Sequence, residues 1–107
     1  METIVVMTNL PDQDSAQHLA RVLIEARLAA CVNVLAPCFS IYHWDGKIET
    51  AQEVPVWIKA SRRNYDKLEQ YIRQHHPYEL PEIVAVAVTD GLPAYLAWVA
   101  DETTTNN

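Results

Sequence analysis

The feature that most constrains this chain is a pair of strand-like runs joined by Asp45-Gly46. Phe39 to Trp44 and Lys47 to Lys59 are rich in β-branched and aromatic residues. A two-residue Asp-Gly link between such runs is a strong hairpin signal, because the tight turn needs positive φ at its centre. The returning run, about 13 residues, would extend roughly 40 Å, more than the sheet of a small domain needs. Part of the ribbon must project, and it carries Ile41, Tyr42, Trp44 and Ile48. Exposed apolar ribbons are normally paired or covered. Either this one docks on further copies of the chain, or it folds back on its own sheet. Pro55 lies inside the second run without an N–H, so an edge position or a bulge is expected there.

The other segments fall into place around this hairpin. Thr3 to Thr8 is apolar and β-branched and reads as a strand buried on both faces. Pro11-Asp12-Gln13-Asp14 carries helix-start chemistry, and Ala16, Leu19, Ala20, Leu23, Ile24 and Leu28 follow a helical period. Cys31 to Leu35 reads as a strand that Pro37 interrupts with a bulge or bend before Phe39. Ser61 is placed to cap a second helix with Tyr65, Leu68, Ile72 and His75 on one stripe. Pro77 ends that helix near His76. Ile83 to Val88 reads as another fully buried strand, and Ala94 to Ala100 as a short helix after the Gly91 and Pro93 turn. Residues 101–107 are polar and read as a frayed tail. The order β-α-β-β-α-β-α predicts an α+β fold, the ferredoxin-like split βαβ sandwich, with one antiparallel sheet and two helices on one face. The whole chain, 1–107, is expected to form a single domain.

Charge and composition narrow the function classes. The net charge is −6, from 14 acidic and 8 basic residues, with no basic cluster, which argues against nucleic acid as a partner. No apolar run approaches the roughly 20 residues a membrane helix needs. Met1-Glu2-Thr3 carries no basic leader, so a cytoplasmic location is expected. Cys31 and Cys38 are seven apart in one extended segment, on opposite faces, and are expected to be buried, reduced and unbonded.

Few residues could carry chemistry. No nucleophile elbow is present, and Gly46 and Gly91, the only glycines, form no phosphate loop, so no enzyme is expected. His75-His76-Pro77-Tyr78-Glu79-Leu80-Pro81-Glu82 is the most informative segment. Adjacent histidines at a helix end diverge, and the helical i, i+4 metal pair is absent. They serve either the helix dipole and last carbonyls or, with Glu79 and Glu82, a divalent ion. His18 reads as an exposed helix residue and His43 as a ribbon contact, neither completing a site. Tyr42, Trp44, Glu53 and Lys59 form a second group. Glu53 and Lys59 share a face, and either line a polar cleft between subunits or form an ordinary surface ion pair.

Several segments together resemble the CutA divalent-cation-tolerance proteins. They are Leu28 to Asn33, Ser40 to Ile48, Glu53, Lys59, His75 to Ile83 and Tyr95-Leu96-Ala97-Trp98, in order, within a match from about Thr3 to Trp98. The resemblance implies the ferredoxin-like fold, a homotrimer joined through the long hairpins, and a role in the response to metal ions. It implies copper or another divalent cation as ligand, at positions corresponding here to Met7, His75 and His76. Met7 stands where the member for which copper binding was proposed has a cysteine, and its plain role is packing in a strand. The resemblance makes His75, Pro77 and Glu82 a signature of a subunit-interface cleft. A second reading is a trimeric small-molecule or signalling module similar to the PII-like regulators, with its cleft near Tyr42, Trp44, Glu53, Lys59, His76 and Glu82. A scaffold whose purpose is the trimer itself is a third.

Overall fold

The computed structural model describes residues 2–104. β1 (Thr3–Leu10), α1 (Gln13–Glu25), β2 (Cys31–Val34), β3 (Cys38–Trp44), β4 (Lys47–Ser61), α2 (Tyr65–His75), β5 (Val84–Ala87) and α3 (Pro93–Glu102) follow in order, with one 3-10 turn (Arg62–Asn64) before α2. The sheet order is β2-β4-β1-β5, with β3 also on β4, and every pairing is antiparallel. This is the ferredoxin-like split βαβ arrangement.

β4 organises the sheet. Along it, Val54, Val56, Ile58 and Ala60 point to one face and are buried with Ile4, Val6 and Leu10 of β1. Ala16, Leu19 and Leu23 of α1 and Leu68 and Ile72 of α2 close over that face and complete the core. The Asp12 side chain caps α1 by accepting from the Ser15 amide at 2.8 Å. Arg27 ends it in the left-handed region at φ 58°. There the Arg27 amide donates to the Ile24 carbonyl and the Leu28 amide to the Leu23 carbonyl, a paired C-terminal cap.

The interruption near Pro37 is a bulge. Val34 faces Val56 and Cys38 faces Glu53, so four steps along the β2–β3 side span three along β4. Pro55 sits opposite it. β4 is a central strand, not an edge, yet the Pro55 carbonyl accepts from Leu35 on the bulged side. A strand residue's N and C=O point to the same side, so the missing donor also faces the bulge and the β1 ladder is unaffected. Asp45 (φ 52°) and Gly46 (φ 75°) form the expected turn.

Several expectations are corrected. β1 is not buried on both faces: Val5, Met7 and Asn9 are only half-buried. β5 is exposed along its whole length, because it is an edge strand paired only with β1 and no helix among the described residues covers it. Ser61 caps no helix. It ends β4, is buried, and its hydroxyl lies 2.7 Å from that of Thr103. Cys31 and Cys38 are unpaired as expected but half-exposed rather than buried. They share one face rather than lying on opposite ones, because the bulge between them shifts the alternation and sets them opposite Lys59 and Glu53. Residues 101–104 are not frayed: α3 runs to Glu102, and Thr103 is fully buried. Residues 105–107 of that expected tail lie outside the described residues. α3 packs on the second face of the sheet, where Thr103 meets Ser61 and Tyr95 meets Cys31. The remainder of that face carries Val5, Met7, Trp57, Val84 and Val86, which the strand registers place side by side.

One defect in the core is testable. The Thr8 hydroxyl is buried with no hydrogen-bond partner among the described residues. Thr8→Val keeps the shape and removes that polar group, so unfolding in urea should show a gain of about 1 kcal/mol.

Candidate functional site

A cleft of about 1050 Å³ opens between the projecting ribbon and the segment that follows α2. The ribbon wall is Ser40, Tyr42 and Trp44 of β3 with Glu49 and Glu53 of β4, residues that strand alternation puts on one face. Tyr78, Glu79 and Glu82 form the opposite wall, with Asn9 at its foot donating to Glu82 at 3.2 Å. Five of the six expected cleft residues therefore meet here: Tyr42, Trp44, Glu53, Glu79 and Glu82. Lys59 does not. It lies six residues along β4 from Glu53, where its ammonium hydrogen-bonds Asn33 on β2. The Glu53–Lys59 ion pair is thus absent, and no lysine, arginine or histidine lines the cleft among the described residues.

Glu53 is the anchor of the cleft floor. It is 8% exposed, although it belongs to the face that is otherwise open. The Tyr78 phenol faces it, and burial together with the hydrogen bond and negative charge of Glu53 pushes that phenol up to about 12. Tyr78 in turn packs on His76, with ring centroids 4.9 Å apart.

The two histidines part company. His76 is the extended residue that ends α2, and its ring turns inward. Its Nε2 lies 2.7 Å from the Asn9 carbonyl, and its Nδ1 accepts from the Tyr78 amide at 3.2 Å. A carbonyl only accepts and an amide only donates, so the ring is the neutral Nε2–H tautomer with both nitrogens engaged. Burial holds its pKa below the ordinary 6.5, partly offset by the hydrogen bond to Asn9 and the charge of Glu53. His75 stays on the helix, where Nδ1 lies 2.9 Å from the Tyr71 carbonyl one turn back. Its ring stacks on Tyr71 and lies 6.0 Å from that of His18 on α1.

This geometry does not fit a metal held by Met7, His75 and His76. His76 has no free lone pair, and His75 is turned to the α1 side of its helix. Met7 is a half-buried member of the open sheet face, opposite Trp57 and Val84. Among the described residues no group of three His, Cys, Asp or Glu side chains is arranged to hold a metal ion. What His76 does is structural: it pins the cleft wall to the end of β1. The sequence missed its tautomer, which depends on a carbonyl 67 positions away. It also set aside His18, whose neighbour appears only when α1 and α2 pack together.

The sequence profile of the CutA1 divalent ion tolerance proteins matches residues 4–102. The chain belongs to the CutA1 family. It is 43% identical over 96 residues to the divalent-cation tolerance protein CutA of Yersinia pestis (strain Pestoides F), covering 90% of this chain and 81% of that protein. Its fold superposes on the crystal structure of CutA from Xylella fastidiosa with a TM-score of 0.94 and 40% identity, covering 97% of this chain and 100% of that one. A CutA from Archaeoglobus fulgidus, described as a periplasmic divalent cation tolerance protein, aligns with a TM-score of 0.92 and 29% identity over 95% of this chain and 99% of its own. No helix among the described residues is long and apolar enough to cross a membrane.

The depressed basicity of His76 has a pH consequence. Unfolded, His76 takes up a proton near pH 6.5; folded, it resists until lower pH. Stability should therefore fall as the pH drops below about 6.5, where the unfolded chain binds the extra proton. Thermal melts from pH 7.5 to 5 should show a steeper loss for the native chain than for His76→Gln. Parallel curves would contradict this account.

Proposed function

We propose that this CutA1-family protein serves divalent-cation tolerance as a non-enzymatic, cytoplasmic homotrimer, with the ribbon cleft as its ligand-binding element. The observation that carries the reading is the amount of apolar surface a single protomer leaves open. On the ribbon, residues 41–50 are all exposed, with Ile41 at 71% and Ile48 at 69%. On the sheet, Trp57, Val84 and Val86 are each about half exposed beside Val5 and Met7. Two separated apolar surfaces on so small a chain are what an obligate assembly buries. The family resemblance supports the number three, joined through the hairpins. The open sheet face adds a second contact beyond the hairpins. Copper or another divalent cation remains the proposed ligand of the function, but not through Met7 and His76.

The reading as a small-molecule module is favoured by one observation, the Glu53–Tyr78–His76–Asn9 chain that braces the cleft. The charge of the cleft narrows it. A phosphate-bearing ligand would meet Glu49, Glu53, Glu79 and Glu82 with no cationic side chain among the described lining residues. Neutral or cationic ligands suit it better.

Light scattering should give a mass near three times the 12.1 kDa chain. Ile41→Asp/Ile48→Asp should lower it to the monomer with helical circular dichroism retained. A monomeric native chain would overturn the proposal. In a thermal-shift screen, nucleotides and small anions should leave the melting temperature unchanged. A nucleotide shift abolished by Glu53→Gln would reverse the charge argument.

A further inference from the structure

We propose a divalent transition-metal site on the outer surface of the helical layer, formed by His18 of α1 and His75 of α2. It is a cation site separate from the ribbon cleft and rests on the function proposed above only for its physiological meaning. The site itself stands on the packing of the two helices and needs neither the trimer nor the cleft.

His75 is the fixed ligand of the pair. Its Nδ1 lies 2.9 Å from the Tyr71 carbonyl, which can only accept, so Nδ1 carries the proton. The lone pair is then on Nε2, which has no partner among the described residues. A histidine that donates one ring N–H to a backbone carbonyl is oriented and fixed in tautomer as metal-binding histidines are. Tyr71 stacks along the ring with centroids 6.1 Å apart and an interplanar angle of 26°, which limits its rotation further.

His18 provides the second imidazole. It is exposed on α1, its ring makes no hydrogen bond among the described residues, and its centroid lies 6.0 Å from that of His75. With metal–nitrogen bonds of about 2.0–2.1 Å, two imidazoles on one ion hold their centroids roughly 4.5–6 Å apart. The observed spacing is the outer end of that range, and His18 is free to close the remainder by a side-chain rotation. Asp14 lies one helical turn before His18 and adds negative charge on that face. Two imidazoles with water completing the shell suit Cu(II) and Zn(II), with Cu(II) the tighter. Mg²⁺ and Ca²⁺, which demand oxygen ligands, are not accommodated. The site is bidentate, in keeping with the lack of any three-ligand group among the described residues.

Calorimetric titration of the full chain with CuCl₂ and ZnCl₂ at pH 7.4, in a non-coordinating buffer, tests this directly. The native protein should bind one ion per chain. His18→Ala and His75→Ala should each weaken binding at least tenfold. Met7→Leu and His76→Gln should bind within about twofold of the native protein. Cu(II) should selectively broaden the imidazole resonances of His18 and His75, a readout independent of any change in stability. Native-like binding by His18→Ala, equal loss in His76→Gln or Met7→Leu, or no binding by the native chain would each overturn the site. Light scattering on the same samples separates these outcomes from failure of the trimer, since His18→Ala should leave the mass unchanged.

Discussion

The pairing of β4 with three other strands is the constraint on which the remaining structure hangs. Fifteen residues of one strand hold β1 on one side and β2 and β3 on the other. The single extra residue of the bulge lets β2 and β3 both pair with it despite Pro37 and Pro55. A shift of one residue would turn every side chain of a strand to the opposite face. Because the shift falls at the bulge, Val32 and Val34 stay packed against the core, while Ser40, Tyr42 and Trp44 form a wall of the cleft. The bulge therefore separates the part of the ribbon that builds the core from the part that builds the site.

Much of this fold was legible in the sequence because local chemistry and global topology agree there. Asp45-Gly46 can make only a narrow set of turns, Pro77 cannot follow a helical residue easily, and the apolar periods of α1 and α2 match the face they bury. The errors share a physical cause. Ile83 to Val88 reads as a buried strand because apolar runs usually are buried, but burial depends on what covers the strand. Nothing within the described protomer covers β5. The tail error is similar. Thr103 is polar, yet its hydroxyl satisfies both the Val99 carbonyl and Ser61, so it can be fully buried at little cost.

The candidate site was legible by composition and not by arrangement. Strand alternation placed Tyr42, Trp44 and Glu53 on one wall, and the signature segment supplied Glu79 and Glu82. Lys59 shares a face with Glu53 but lies about 20 Å farther along an extended strand, too far for a pair. Adjacent histidines were expected to diverge, and they do. The sequence could not say which would turn inward. That choice is made at the last residue of α2: once Pro77 forces His76 into an extended conformation, its ring meets the end of β1 while His75 remains on the helix.

The architecture also relates the two proposed surfaces. A split βαβ unit places both crossover helices on one side of its sheet, so the other side must be covered by something else. α3, ten residues and about 15 Å long, covers only the corner around Thr3, Cys31 and Ser61. The apolar patch left beyond it and the ribbon both lie away from the outer surface of α1 and α2. Burial of those surfaces against further copies would leave His18 and His75 facing solvent, one pair on each subunit. Assembly and cation binding then make no competing demand on the same residues, so loss of one need not entail loss of the other.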